Sequence, residues 1–157
     1  FWTYHGTGKP VAYIDSYDNN IVIVSGKGDI IYLKIEENFE KNIKKFKTLR
    51  FDIILSNHVL EHVKDDLKAL SELSRILKHN GLLILTVPGD WQRNKTIEYN
   101  FPDKNGHYRD YGLGFKEDLL EIFSSVETID LFKFNNLYEL PLGLSPLHDF
   151  AFLCKKK

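Results

Sequence analysis

Apolar and polar positions are patterned most clearly from Phe51 to Pro88, in FDIILSNHVLEHVKDDLKALSELSRILKHNGLLILTVP. Phe51-Asp52-Ile53-Ile54-Leu55 is a short, nearly continuous apolar run, as expected of a strand covered on both faces of a parallel sheet. Leu67, Leu70, Leu73 and Leu77 recur at helical spacing and leave Lys68, Glu72 and Lys78 for water. Asp65 and Asp66 supply N-cap carboxylates at the positive end of that helix dipole, and Asn80-Gly81 supplies the left-handed residue that ends it. Leu82 to Val87 is a second buried strand, stopped by Pro88-Gly89. Together these predict one βαβ unit with a right-handed crossover.

On the amino-terminal side, Val11 to Asp15, Ile21 to Ser25 and Ile30 to Ile35 are β-rich. The turn sequences Asp18-Asn19-Asn20 and Gly26-Lys27-Gly28 separate them, which predicts a three-stranded antiparallel meander. Ile35, Phe39, Ile43 and Phe46 then repeat at helical spacing. On the carboxy-terminal side, Gly89 to Gly114 is a long polar passage, and a loop of that length in a compact domain is usually functional or mobile. Phe115 to Phe123 predicts a short helix with Leu119, Leu120 and Phe123 on its apolar side. Val126 to Phe134 reads as a strand with Thr128 and Asp130 on a solvated face. Asn135 to Leu147 is a loop broken by Pro141, Gly143 and Pro146. Asp149 to Lys155 is a final strand, with Phe150, Phe152 and Cys154 on one side.

Composition narrows the classes. A chain of 157 residues without internal repeats reads as one domain, and 43% hydrophobic with 27% charged residues is ordinary for a globular protein. A net charge of −1 and a pI near 6.7 give no bulk field for nucleic acid or membranes, so neither partner is expected. No apolar run of about 18 residues and no secretory leader is recognised. The single cysteine, Cys154, cannot form an internal disulfide, which suits a reducing cytoplasm. The chain opens on Phe1 and has no methionine, as expected of a fragment or a trimmed chain.

The series Phe51 to Ile54, Val59-Leu60-Glu61-His62-Val63, Leu77-Lys78-His79-Asn80-Gly81 and Val87-Pro88 resembles the middle of a class I S-adenosylmethionine-dependent methyltransferase. Trp91, Lys95-Thr96, His107-Tyr108-Arg109-Asp110-Tyr111-Gly112, Phe115-Lys116 and Phe152-Leu153-Cys154-Lys155 are similar to a small bacterial, type 11-like subgroup of these enzymes. The resemblance covers residues 51–155 and is specific as a series rather than in any one piece. It implies an α/β, Rossmann-like sheet, mostly parallel, with a carboxy-terminal antiparallel hairpin whose last strand is inserted. Residues 1–50 are then an atypical part, a β-meander plus helix. It also implies methyl transfer from S-adenosylmethionine to an O, N or C nucleophile, most simply of a small molecule.

By the same resemblance, Ser56, Asn57 and His58 line the adenine and the methyl-bearing sulfur, at the carboxyl end of a parallel strand where open α/β sheets bind ligands. Gly26 and Gly28 are candidates for the glycine loop facing the cofactor's amino-acid end, where backbone must approach closely and a helix should follow. The strand pattern Ile30-Ile31-Tyr32-Leu33 favours a hairpin turn there instead. Asp15, Glu36 and Glu37 are candidates for the ribose-binding acid. The Gly89 to Gly114 segment is expected to cover the site, with Trp91, Arg93, Lys95, His107, Arg109 and Tyr111 able to touch a substrate. His107 is the best candidate for a general base, and Arg109 suits a carboxylate or phosphate. The alternative is a structural Arg109–Asp110 ion pair, with Tyr108 and Tyr111 packed beneath the lid. Glu61 and His62 belong to no HExxH or cysteine-pair pattern, so no metal is expected and they read as loop supports, bonded to nearby backbone amides. A rival reading is a non-catalytic module that keeps the fold and binds or oligomerises through its amino-terminal strands. A nicotinamide-dependent oxidoreductase is disfavoured, since no G-x-G-x-x-G occurs.

Overall fold

The computed structural model describes residues 20–24, 30–34, 43–133 and 150–157. In chain order the elements are β1 (Asn20–Val24), β2 (Ile30–Lys34), β3 (Phe51–Asn57), α1 (Asp66–Ile76), β4 (Leu77–Thr86), β5 (Ile97–Glu98), β6 (Arg109–Asp110), α2 (Phe115–Ile122), β7 (Ser125–Asp130) and β8 (Phe150–Lys155). A six-stranded sheet takes the order β2-β1-β3-β4-β8-β7, and β5 and β6 form a separate two-stranded ladder. β2, β3, β4 and β7 point one way and β1 and β8 the other. The expected βαβ unit is the parallel pair β3–β4 with α1 between them. The final strand β8 lies between β4 and β7, antiparallel to both, as the Rossmann-like reading requires.

Asp65 caps α1 as expected, its carboxylate accepting from the Lys68 amide at 3.1 Å. The buried stripe of α1 is Ala69, Leu70, Leu73 and Ile76, whereas Leu67 is 47% exposed. The leucine repeat therefore locates the helix but misplaces its face by part of a turn. The helix also stops at Ile76, and Leu77 already belongs to β4. Asn80 rather than Gly81 is left-handed, at φ 61°, and a bulge separates the Phe51–Leu77 and Ile53–Leu82 pairings. Gly81 is needed for close approach, because a Cβ there would lie 2.8 Å from the Lys78 carbonyl and 3.1 Å from that of Asp52.

Both helices pack on the same side of the sheet, α1 against β4 and α2 against β7 and α1. Ile54, Leu83, Leu85 and Cys154 are buried with Leu70, Leu73, Phe115 and Leu119 in one apolar cluster. Along β3 the burial is uneven, and Ile53 is 38% exposed. Full cover on both faces, expected from the apolar run, is thus found only on the helix side among the described residues. Burial pushes the Cys154 thiol up to about 12, so it is an inert core group. No described helix is long and apolar enough to cross a membrane.

Several expected features, Val11 to Asp15, Gly26-Lys27-Gly28, Glu36, Glu37 and the Asn135 to Leu147 loop, lie outside the described residues. Of the expected helix from Ile35, the end is described. Arg75 holds it by donating to the carbonyls of Ile43 (3.2 Å) and Phe46 (2.9 Å).

Candidate functional site

Ser56, Asn57 and His58 stand where the parallel pair β3–β4 ends. Parallel register aligns Ser56 with Leu85 and Asn57 with Thr86. The Thr86 hydroxyl donates to the Asn57 side-chain oxygen, and the His58 amide donates to the Thr86 carbonyl at 3.0 Å. His58 takes φ 51°, a left-handed conformation that non-glycine residues adopt at some cost. That residue turns the chain at the end of β3, on the carboxyl side of the parallel pair, where open α/β sheets bind ligands. Ser56 is buried, and its hydroxyl has no hydrogen-bond partner.

The chain then makes one 3-10 turn, Leu60–His62. What fixes this turn comes from far along the sequence. Arg109 is 2% exposed. It donates through Nη1 to the carbonyls of Leu60 (3.0 Å) and Val63 (2.6 Å), and through Nη2 to that of Lys64 (2.7 Å). Its Nε faces Glu98 at 3.1 Å and Asp66 at 3.4 Å. The Tyr111 hydroxyl donates to Asp66 at 2.9 Å, and the Tyr108 amide donates to the Glu61 carbonyl at 2.7 Å.

The Gly89 to Gly114 passage is therefore an ordered excursion rather than a loose lid. β5 and β6 pair within it, Gly89 bridges Tyr111 at its base, and Asp103 closes its tip by accepting from the Asn105 and His107 amides. Trp91 is buried against Phe150 and Phe152, each at 5.3 Å between ring centres. Arg109 and Tyr111 are likewise interior. These three expected substrate contacts face the core instead, because large side chains at the base of a long excursion are what anchor it to the domain. Arg109 is in an ion pair, though with Asp66 and Glu98, while Asp110 pairs with Arg93 at 3.0 Å. Arg93 also donates to the Lys95 carbonyl. His107 stands beside His62, with ring centres 4.8 Å apart. Neither Glu61 nor His62 is seen on a backbone amide as expected: the Glu61 carboxylate faces His58 Nδ1 at 3.4 Å, and His62 Nδ1 meets the Gly106 carbonyl at 3.1 Å. Gly26 and Gly28 lie outside the described residues, between strands that pair antiparallel with Val24 opposite Ile30.

The electrostatics centre on Asp66. Burial raises its pKa from the ordinary 3.8, against the lowering effect of the Arg109 guanidinium. Burial, reinforced by the Asp66 carboxylate, holds Tyr111 well above the usual phenol range. For Arg109, burial alone would lower the pKa, but Tyr111, Asp66 and Glu98 together raise it. A raised acid binds more protons folded than unfolded, so its stabilising contribution is complete below 3.8 and is lost as pH rises through the raised value. Urea unfolding of wild type and Asp66→Asn between pH 3.5 and 7 tests this. The stability difference is expected to shift steadily toward the Asn variant above pH 3.8, and a shift toward wild type contradicts it.

A sequence model of a methyltransferase domain matches residues 3–131. The chain belongs to this methyltransferase domain family. The methyltransferase domain is 43% identical over 70 residues to an uncharacterized protein of Methanocaldococcus jannaschii, covering 36% of this chain and 31% of that one. Its fold is similar to a crystal structure of a SAM dependent methyltransferase from Archaeoglobus fulgidus. The TM-score is 0.51 at 17% identity, over 74% of this chain and 64% of that chain. A Haemonchus contortus phosphoethanolamine N-methyltransferase 2, solved in complex with S-adenosyl-L-methionine, gives a TM-score of 0.44 at 15% identity, over 71% and 34% of the two chains. The methyltransferase domain thus spans about a third of its curated relative and less than two thirds of either structure. The mixed sheet with its inserted last strand is the class I methyltransferase fold.

Proposed function

We propose that this domain binds S-adenosylmethionine in the crevice beyond β3 and β4 and transfers its methyl group to an O, N or C nucleophile of a small molecule. The observation that carries the reading is the strand-end loop Ser56-Asn57-His58. It combines a left-handed turn at φ 51°, a cross-strand Asn57–Thr86 pair and a buried serine hydroxyl without a protein partner. An orphaned polar atom beside a ligand crevice is a group that a ligand can satisfy. Ser56, Asn57 and the backbone around His58 would hold the cofactor, which supplies an electrophilic methyl on a positively charged sulfur. The protein's work is then positional: the loop sets the direction of approach, and the Gly89 to Gly114 excursion excludes water above it. No side chain needs to form a covalent bond, in keeping with a site that has no nucleophilic constellation among the described residues.

A second reading has its own support. β1 and β2 are neighbouring antiparallel strands with Val24 opposite Ile30, whereas a cofactor-binding glycine loop leads from a strand into a helix. A non-catalytic module with half a cofactor site fits that pairing. Among the described strands β2 lies at a sheet edge, where a second copy could add a strand.

Calorimetric titration with S-adenosylmethionine and S-adenosylhomocysteine separates the two. The enzyme reading expects saturable binding that Asn57→Ala weakens about 3- to 10-fold, the worth of one hydrogen bond. An unfolding curve checks that this variant stays folded. Absence of heat and of thermal stabilisation by either compound favours the non-catalytic module.

A further inference from the structure

We infer that Glu61, His62 and His107 form a binding site for one divalent transition-metal ion. One carboxylate oxygen and one ring nitrogen from each histidine lie within 4.8 Å of one another. Ligands around a tetrahedral zinc sit roughly 3.4 Å apart, given metal–ligand distances near 2.1 Å. Closure thus needs side-chain rotations that move ligand atoms by about 1 Å.

Three features mark the cluster as built rather than accidental. The first is Glu61, 1% exposed, whose Oε2 has no hydrogen-bond partner. Its Oε1 faces His58 Nδ1 at 3.4 Å and His62 Nε2 at 3.9 Å. A buried carboxylate with an empty oxygen is costly, and a cation would satisfy it. The second is the His62 ring. Its Nδ1 lies 3.1 Å from the Gly106 carbonyl, which can only accept, so Nδ1 is the donor there and Nε2, 3.9 Å from Glu61 Oε1, is the nitrogen left for a metal. A ring nitrogen bonded to a carbonyl while the other is left bare is the usual support of a metal-ligating histidine. The third is rigidity. The Tyr108 amide, the Arg109 fork and the Asp103 turn fix the segment carrying His107 against the turn carrying Glu61.

Two imidazoles and one carboxylate with open positions select zinc, cobalt, nickel or iron over magnesium or calcium. The site lies on the turn that follows the β3 strand end, and it stands independently of the cofactor reading.

The test uses the whole chain, stripped with a chelator and dialysed. Zinc is titrated by calorimetry, and cobalt(II) by its ligand-field absorption, a readout that needs no methyl transfer. One ion per chain is expected, with an intense cobalt spectrum typical of low coordination number. Loss of a direct ligand should cost at least the 10- to 100-fold that loss of a supporting group costs. His107→Ala and Glu61→Gln should therefore each weaken zinc binding by about 100-fold or more. His79→Ala, which changes an exposed histidine near the carboxy terminus, should leave it unchanged. His107 is partly exposed, so its variant is expected to fold, and circular dichroism checks this. No uptake by the wild type, or equal uptake by the His107 and Glu61 variants, overturns the inference and leaves a Glu61–histidine hydrogen-bonded pair only. Binding of S-adenosylmethionine, measured separately, can succeed or fail without altering either outcome.

Discussion

Replacing Arg109 with alanine is expected to destabilise the domain by about 3–5 kcal/mol, the usual cost of removing one partner from a buried charged network. The change strands three carbonyls, those of Leu60, Val63 and Lys64, and leaves Asp66 without its guanidinium. Arg109→Lys keeps the charge, but an ammonium cannot reach carbonyls and carboxylates from one planar fork, so about half the loss should remain. Glu98 is the contrast. Its side chain is 62% exposed, and Glu98→Ala should cost less than about 1 kcal/mol. Urea denaturation of the three variants checks the order. Equal losses for Arg109→Ala and Glu98→Ala would mean that the carbonyl clamp is not what holds the turn.

Phe115→Ala should be of comparable size, about 3–5 kcal/mol for a buried phenylalanine truncated in a packed core. Phe115 is 1% exposed. Its ring centre lies 4.3 Å from that of Tyr111 and 5.6 Å, edge-on, from that of Phe152. One side chain therefore joins the first turn of α2, the base of the excursion and the inserted strand β8. The cavity would open beneath all three, with little freedom for any to collapse. Phe115→Leu should lose much less, about 1.5 kcal/mol, since most of the volume is retained. The thermal midpoints of the two variants check this. An alanine variant within about 1 kcal/mol of wild type would show that the excursion is anchored elsewhere.

These two residues show where the sequence was readable. Phe115 opens a helix whose local 3.6-residue pattern places Leu119 and Phe123 inside as expected, while Leu120, expected beside them, is 42% exposed. Arg109 has no local signal. Its partners are carbonyls and carboxylates brought near by the fold, and an arginine beside an aspartate in sequence suggested the wrong ion pair. Trp91 and Tyr111 are buried, and for Tyr111 this fits the alternative of packing beneath the excursion, since polar-tipped aromatics in a long loop suit a ligand and an anchor equally well. Leu77 misled differently. It continues the Leu70–Leu73 spacing, so the helix looked one turn longer than it is, whereas Asn80 and Gly81 serve the bulged start of β4. The strand end Ser56-Asn57-His58 was legible because a buried apolar run stops there. The approach of His107 to Glu61 and His62 was not, because it depends on an excursion folding back over the turn.

The central claim is that the crevice beyond β3 and β4 holds S-adenosylmethionine. Its most direct test is a crystal structure with S-adenosylhomocysteine bound. The expected result places the ligand against Ser56, Asn57 and His58, with the Ser56 hydroxyl or the Asn57 amide within hydrogen-bond reach. Ligand found on another face, or none at a concentration that saturates related enzymes, would contradict the account.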